Sequence, residues 1–179
     1  MPKVAKECRR NGITKLWTDR LVPIGNGEQL QELAITREVL PDYLKTLKKA
    51  QGSRLVGLLY PKTQVTANRA LQFLGAEGRI YSCSAGKSLI TVDEFGQIMP
   101  CRRMPIVCGN VLKASLEQVY FENELFQTLR RKGIPKECGN CPYGYHCRGG
   151  AKCQGYAAYG SCFRADPACF LVGQTREKI

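Results

Sequence analysis

The sequence predicts an α+β fold in two parts. Helix-like and strand-like segments alternate over the first 60 residues, a hairpin pattern follows residue 78, and nine of the ten cysteines fall between Cys83 and Cys169. Together these place an N-terminal unit of helix and strand at residues 1–75 and a small cysteine-rich unit with a β-hairpin and a helix at 76–179. The chain is 44% apolar, enough to build a core. It contains no run of 18 apolar residues, so no membrane span is expected.

Residues 3–10 read as a helix closed by Asn11-Gly12, a pair suited to a helix C-terminus. Ile13 to Thr18 alternates and is rich in strand formers. Arg20 to Gly27 then forms a loop whose proline and glycines let backbone approach a ligand, or simply connect strand to helix. The next helix runs near Pro41 to Ala50, with Leu40, Tyr43, Leu44 and Leu47 on one face. Asp42 suits its positive end, Lys48 and Lys49 its negative end, and Gly52 stops it. Arg54 to Tyr60 reads as a buried strand ended by Pro61. This helix–strand–helix–strand order is an incomplete α/β layer, because a parallel sheet needs more strands and both faces covered.

Residues 66–75 read as a short helix carrying Ala70, Leu71, Phe73 and Leu74. Beyond Gly78 the pieces are short and extended. Asp93-Glu94-Phe95-Gly96 is a turn, so Leu89–Val92 is expected to pair with Ile98–Cys101. One helix then spans residues 115–132, opened by a Ser115–Gln118 capping box and ended by Gly133 and Pro135.

The formal charge is +12, with 27 Lys and Arg against 15 Asp and Glu. The basic residues are scattered, and none forms a long stripe with interleaved aromatics, which argues against nucleic acid as the main partner. The N-terminus has no apolar leader. A reducing cytoplasm is therefore the expected setting, where ten cysteines serve as metal ligands more readily than as disulfides.

Between Cys138 and Cys169 lie six cysteines in 32 residues, separated by glycines, tyrosines and short polar side chains without helical or strand period. Such a segment must be held by something other than its apolar surface. Zinc on Cys138, Cys141, Cys147 and Cys153 is one answer, and a zinc-stabilised nucleic-acid-binding module would follow from it. The C-x5-C spacing is unlike a zinc ribbon's second pair, and that reading leaves Cys83, Cys101 and Cys169 without a role. Iron–sulfur clusters account for more of the thiols, and nearby glycines would let backbone amides donate to sulfur. His146, the only histidine, reads as a surface group beside Cys147. Gly86-Lys87-Ser88 ends like a phosphate loop, but Tyr81 stands where its first glycine belongs.

These residues resemble the SPASM domain, the C-terminal extension of many radical S-adenosylmethionine enzymes. Cys83, Gly96 and Cys101 are spaced as in its first part, Cys138, Cys141 and Cys147 as in its second, followed by Gly149-Gly150 and closed by Asp166-Pro167-x-Cys169. The resemblance implies that Cys138, Cys141, Cys147 and Cys169 hold one auxiliary [4Fe-4S] cluster. It implies a second on Cys83, Cys101 and a ligand whose place is taken by Ala151, so that this cluster needs Cys153, Cys108 or Cys162 instead or keeps an open iron site. Residues 1–75 then resemble the last strands and helices of the family's partial barrel, with Arg20, Pro23 and Gly25 on its cofactor-binding side. The C-x3-C-x2-C motif that cleaves S-adenosylmethionine is absent from the sequence. The chain is thus expected to be the C-terminal portion of such an enzyme, inactive alone, with a separate radical half as partner and a peptide, a protein or a cofactor precursor as substrate.

Overall fold

The computed structural model describes residues 1–52, 63–67, 71–75, 79–131 and 133–173. The fold is α+β. Helix α1, Pro2–Arg10, ends at Asn11 as expected, and its Ala5 is fully buried. Strand β1, Lys15–Thr18, pairs in parallel with β2, Gln64–Ala67, in the register Leu16 to Val65 and Trp17 to Thr66. Helix α2, Leu40–Gln51, lies between them in the chain, as a parallel pair requires. It starts with Pro41 in its first turn and stops at Gly52.

Helix α2 serves two cores. Leu47 and Ala50 pack with Ala5 and Val65. Leu40 and Leu44, from its N-terminal half, join a second core with Leu71, Met104, Leu129 and several cysteines.

Among the described residues the helix expected over 66–75 is not formed. Residues 66 and 67 belong to β2, and residues 72–74 make a 3-10 turn, Gln72–Leu74. Val65 and Thr66 are β-branched, and pairing with β1 outweighs the helical spacing of the apolar residues beyond them. The strand expected at 54–60 and the boundary near residue 76 lie outside the described residues.

The hairpin forms where expected: β3, Thr91–Val92, pairs antiparallel with β4, Gln97–Met99, and β5, Gly109–Asn110, adds to the other side of β4. Asp93 closes the turn by accepting from the Phe95 and Gln97 amides at 3.0 and 2.8 Å. Ile98 packs under this sheet against Val119 and Phe126.

The single helix expected from Ser115 is two helices, α3, Leu116–Glu122, and α4, Glu124–Arg130. Ser115 caps the first as expected, its hydroxyl accepting from the Gln118 amide at 3.0 Å. Asn123 breaks the run because its side chain caps the second helix, accepting from Leu125 and Phe126, while its amide group donates to the Cys108 carbonyl at 3.1 Å. Two short helices follow, α5, Gly144–Cys147, and α6, Lys152–Tyr159. Among the described residues no helix is long and apolar enough to cross a membrane.

Candidate metal centre

Cys138 ends a 3-10 turn, and the Cys141 amide donates back to the Cys138 carbonyl at 3.1 Å, folding the C-x2-C pair into one turn. Cys147 is the last residue of α5, and Cys169 follows the turn at Asp166. These four thiols line one cavity. Leu71, Phe73 and Tyr143 also line it, the two rings meeting edge to face at 5.1 Å. After Cys147 the chain reverses through Arg148, Gly149 and Gly150, all with positive φ. Gly150 is required there on two counts, its φ of +80° and a close approach in which a Cβ would sit 2.8 Å from Asp166 Cβ.

Asp166 is fixed from every side. Its amide donates to the Gly149 carbonyl at 2.9 Å, and its carbonyl accepts from the Cys169 amide at 3.0 Å. Its carboxylate accepts from the Ala168 amide at 3.1 Å and from both terminal nitrogens of Arg20, one at 3.0 Å. Asp166 is 1% exposed and Arg20 6%. Burial alone would lower the Arg20 pKa, but the Asp166 carboxylate outweighs it and holds the guanidinium charged. Asp166 is therefore committed to Arg20, and the oxygen-poor cavity beside it is left to sulfur.

The thiols of this set are costly to ionise without a cation. Burial, then the neighbouring Cys169, Cys141 and Cys147, push Cys138 up to about 12. Burial pushes Cys147 up to about 11, against the Gly150 backbone N–H, which favours its thiolate. Burial also raises Cys169, opposed by the amides of Leu171 and Val172. Backbone N–H groups aimed at sulfur, with no uncommitted carboxylate lining the cavity among the described residues, suit a thiolate-held iron–sulfur cluster. Among the described residues no three His, Cys, Asp or Glu side chains are gathered tightly enough to hold a single metal ion. One zinc draws its thiolates to about 2.3 Å from a common centre, whereas each thiolate of a four-iron cluster binds a different iron.

Cys83, Cys101 and Cys153 line a second, wider groove together with Tyr81, Arg102 and Arg103. The Cys101 sulfur accepts from the Arg103 amide at 3.5 Å. Cys153 is buried in the first turn of α6, two residues past the equally buried Ala151. Cys108 and Cys162 line neither space. Burial and then Cys162 push the Cys108 thiol up to about 11. His146 is exposed, its ring against Tyr145, in keeping with a surface role.

Arg20 and Gly25 line one open groove beside Arg102 and Arg103, while Pro23 lines another with Gln154 and Pro167. Sequence reasoning missed the Arg20–Asp166 pair. It also missed Lys152, whose ammonium is disfavoured by burial and favoured by Cys162, Cys83, Cys138 and Cys147. The Asp-Pro-x-Cys spacing was the only signal for the first, and nothing in the spacing pointed to the second.

Residues 83–142 match the family model of SPASM, described as an iron–sulfur cluster-binding domain. The chain carries a SPASM domain. The match stops at residue 142, short of Cys147, Cys153 and Cys169. An AdoMet-dependent heme synthase of Oleidesulfovibrio alaskensis is 25% identical over 93% of this chain and 46% of its own length. One of Nitratidesulfovibrio vulgaris is 24% identical over 93% of this chain and 48% of its own. A PqqA peptide cyclase of Methylocella silvestris is 33% identical over 50% of this chain and 26% of its own. The chain thus spans about half the length, or less, of the curated relatives it matches.

Proposed function

We propose that this chain binds auxiliary [4Fe-4S] clusters as the SPASM portion of a radical S-adenosylmethionine enzyme, one that modifies a peptide or protein or makes a cofactor. The observation that carries this reading is the convergence of Cys138, Cys141, Cys147 and Cys169 on one cavity. These four would hold the first cluster. Cys83, Cys101 and Cys153 would hold a second, with Cys153 standing in for the ligand expected at Ala151. A bound cluster supplies one-electron chemistry.

The protein's own groups set the conditions for that chemistry. Amides of Gly150, Leu171 and Val172 favour negative charge on sulfur, Phe73 and Tyr143 wall off water, and the Arg20–Asp166 pair fixes the turn that presents Cys169. Residues 1–75 would belong to the partial barrel of the same enzyme, a reading supported by the parallel β1–β2 pair and its α2 crossover. Arg20, Pro23 and Gly25 would shape its cofactor end, Arg20 by holding the loop through Asp166. The relatives named for heme synthesis and for peptide cyclisation support a cofactor precursor or a peptide as the substrate class. A cytoplasmic setting fits ten cysteines used as metal ligands rather than as disulfides.

Iron, sulfide and zinc measured per chain after anaerobic purification test the reading. About eight irons with matching sulfide are expected, and about four would leave only the first site. One zinc without iron overturns it.

A further inference from the structure

A small hollow lies between the two thiol sets, touched by Cys83 of one and Cys147 of the other. Lys87, Arg131, Arg148 and Lys152 all line it, and no carboxylate does among the described residues. Four cations around one hollow repel one another unless an anion offsets them. Their placement is not casual. Lys152 donates to the Arg148 carbonyl at 3.1 Å and stands 6.0 Å from the Phe163 ring centre. Arg148 reaches the hollow from a left-handed backbone, φ +53°, a costly conformation for a residue with a side chain.

The remaining lining decides what kind of anion fits. Leu129, Ile134 and Phe163 give the hollow an apolar side, which inorganic phosphate would leave unused. Its volume, about 200 Å³, is smaller than a drug-sized pocket and too small for a folded partner's loop. We propose that this hollow binds a carboxylate-bearing organic anion, held by Lys87, Arg148 and Lys152 with its apolar stem against Leu129, Ile134 and Phe163. The site borders one proposed ligand of each cluster, Cys147 and Cys83, and so places the bound acid beside both thiol sets.

Adipate titrated calorimetrically into the full iron-loaded chain, at fixed ionic strength, tests this against adipamide and inorganic phosphate. Adipate is expected to bind at least about tenfold more tightly than either, since a hydrogen bond between charged groups is worth that much or more. Lys87→Gln is expected to weaken adipate by about tenfold, with Lys87→Arg retaining it. Iron measured on each variant keeps loss of the anion site distinct from loss of a cluster. Equal binding of adipate and adipamide, phosphate binding as tightly as adipate, or an unchanged affinity in Lys87→Gln would overturn the proposal and leave the four cations to offset cluster charge alone.

Discussion

Cys138, Cys141, Cys147 and Cys169 surround a cavity walled by aromatic rings, whereas Cys83, Cys101 and Cys153 line a groove shared with Arg102 and Arg103. Three of the first four thiols are buried, while Cys83 and Cys101 of the second set are half-buried. The first set closes within 32 residues of chain, a short loop at low entropic cost, and the second draws Cys153 from far along the sequence. Four thiols can satisfy a four-iron cluster by themselves, but three need a further donor. On the proposed reading the closed set would hold its cluster with protein thiolates alone, and the open set would leave one iron within reach.

Single substitutions put the independence of the two sets to the hardest test. Cys141→Ala is expected to remove about four of eight irons and Cys101→Ala the other four, read by iron and sulfide analysis. If either change empties the chain of iron, the two sets are one site and the comparison fails.

Next in size is Asp166→Asn, which strips the buried Arg20 of its counter-charge. A loss of about 3–5 kcal/mol is expected in chemical denaturation. The double change Arg20→Met with Asp166→Leu should recover most of it. A loss no larger than that of a surface ion pair would mean that water reaches this pair and that the closed set is less closed than its burial implies.

The smallest effect is that of pH on the iron-free chain. Cys138 and Cys147 hold their protons more tightly folded than unfolded, at about 12 and about 11 against an ordinary thiol value of 9.0. Their contribution to stability is full below the ordinary value and is lost as pH rises through the folded values. Melting temperature should therefore fall across that alkaline window, less so in Cys138→Ala and less so once metal has replaced the protons. A flat profile would place these thiols in contact with water.

Much of this was legible in the chain itself. The resemblance to the SPASM pattern implied the four residues that line the closed cavity, the Asp93 turn predicted the hairpin, and Ser115 with Gln118 marked a helix start. What escaped depends on distant partners. Gln64–Ala67 is a strand because β1 offers it a ladder, which no local pattern reveals. Asn123 has ordinary neighbours for a helix interior, and it breaks the helix because its side chain meets Cys108 on one side and caps α4 on the other. Arg20 looked like a loop cation until Asp166, 146 residues away, was found against it.

That long-range pair limits how the cysteine-rich segment could be moved between proteins. A cassette cut near residue 79 would carry a buried aspartate whose arginine stayed behind in the donor. A recipient would have to present its own cation just after a strand at the right height, or mutate the aspartate away and lose the anchor of the Cys169 turn. Gene fusion and recombination would therefore favour exchanging the segment together with the strand that precedes Arg20, so the two are expected to travel as a pair rather than as separate parts.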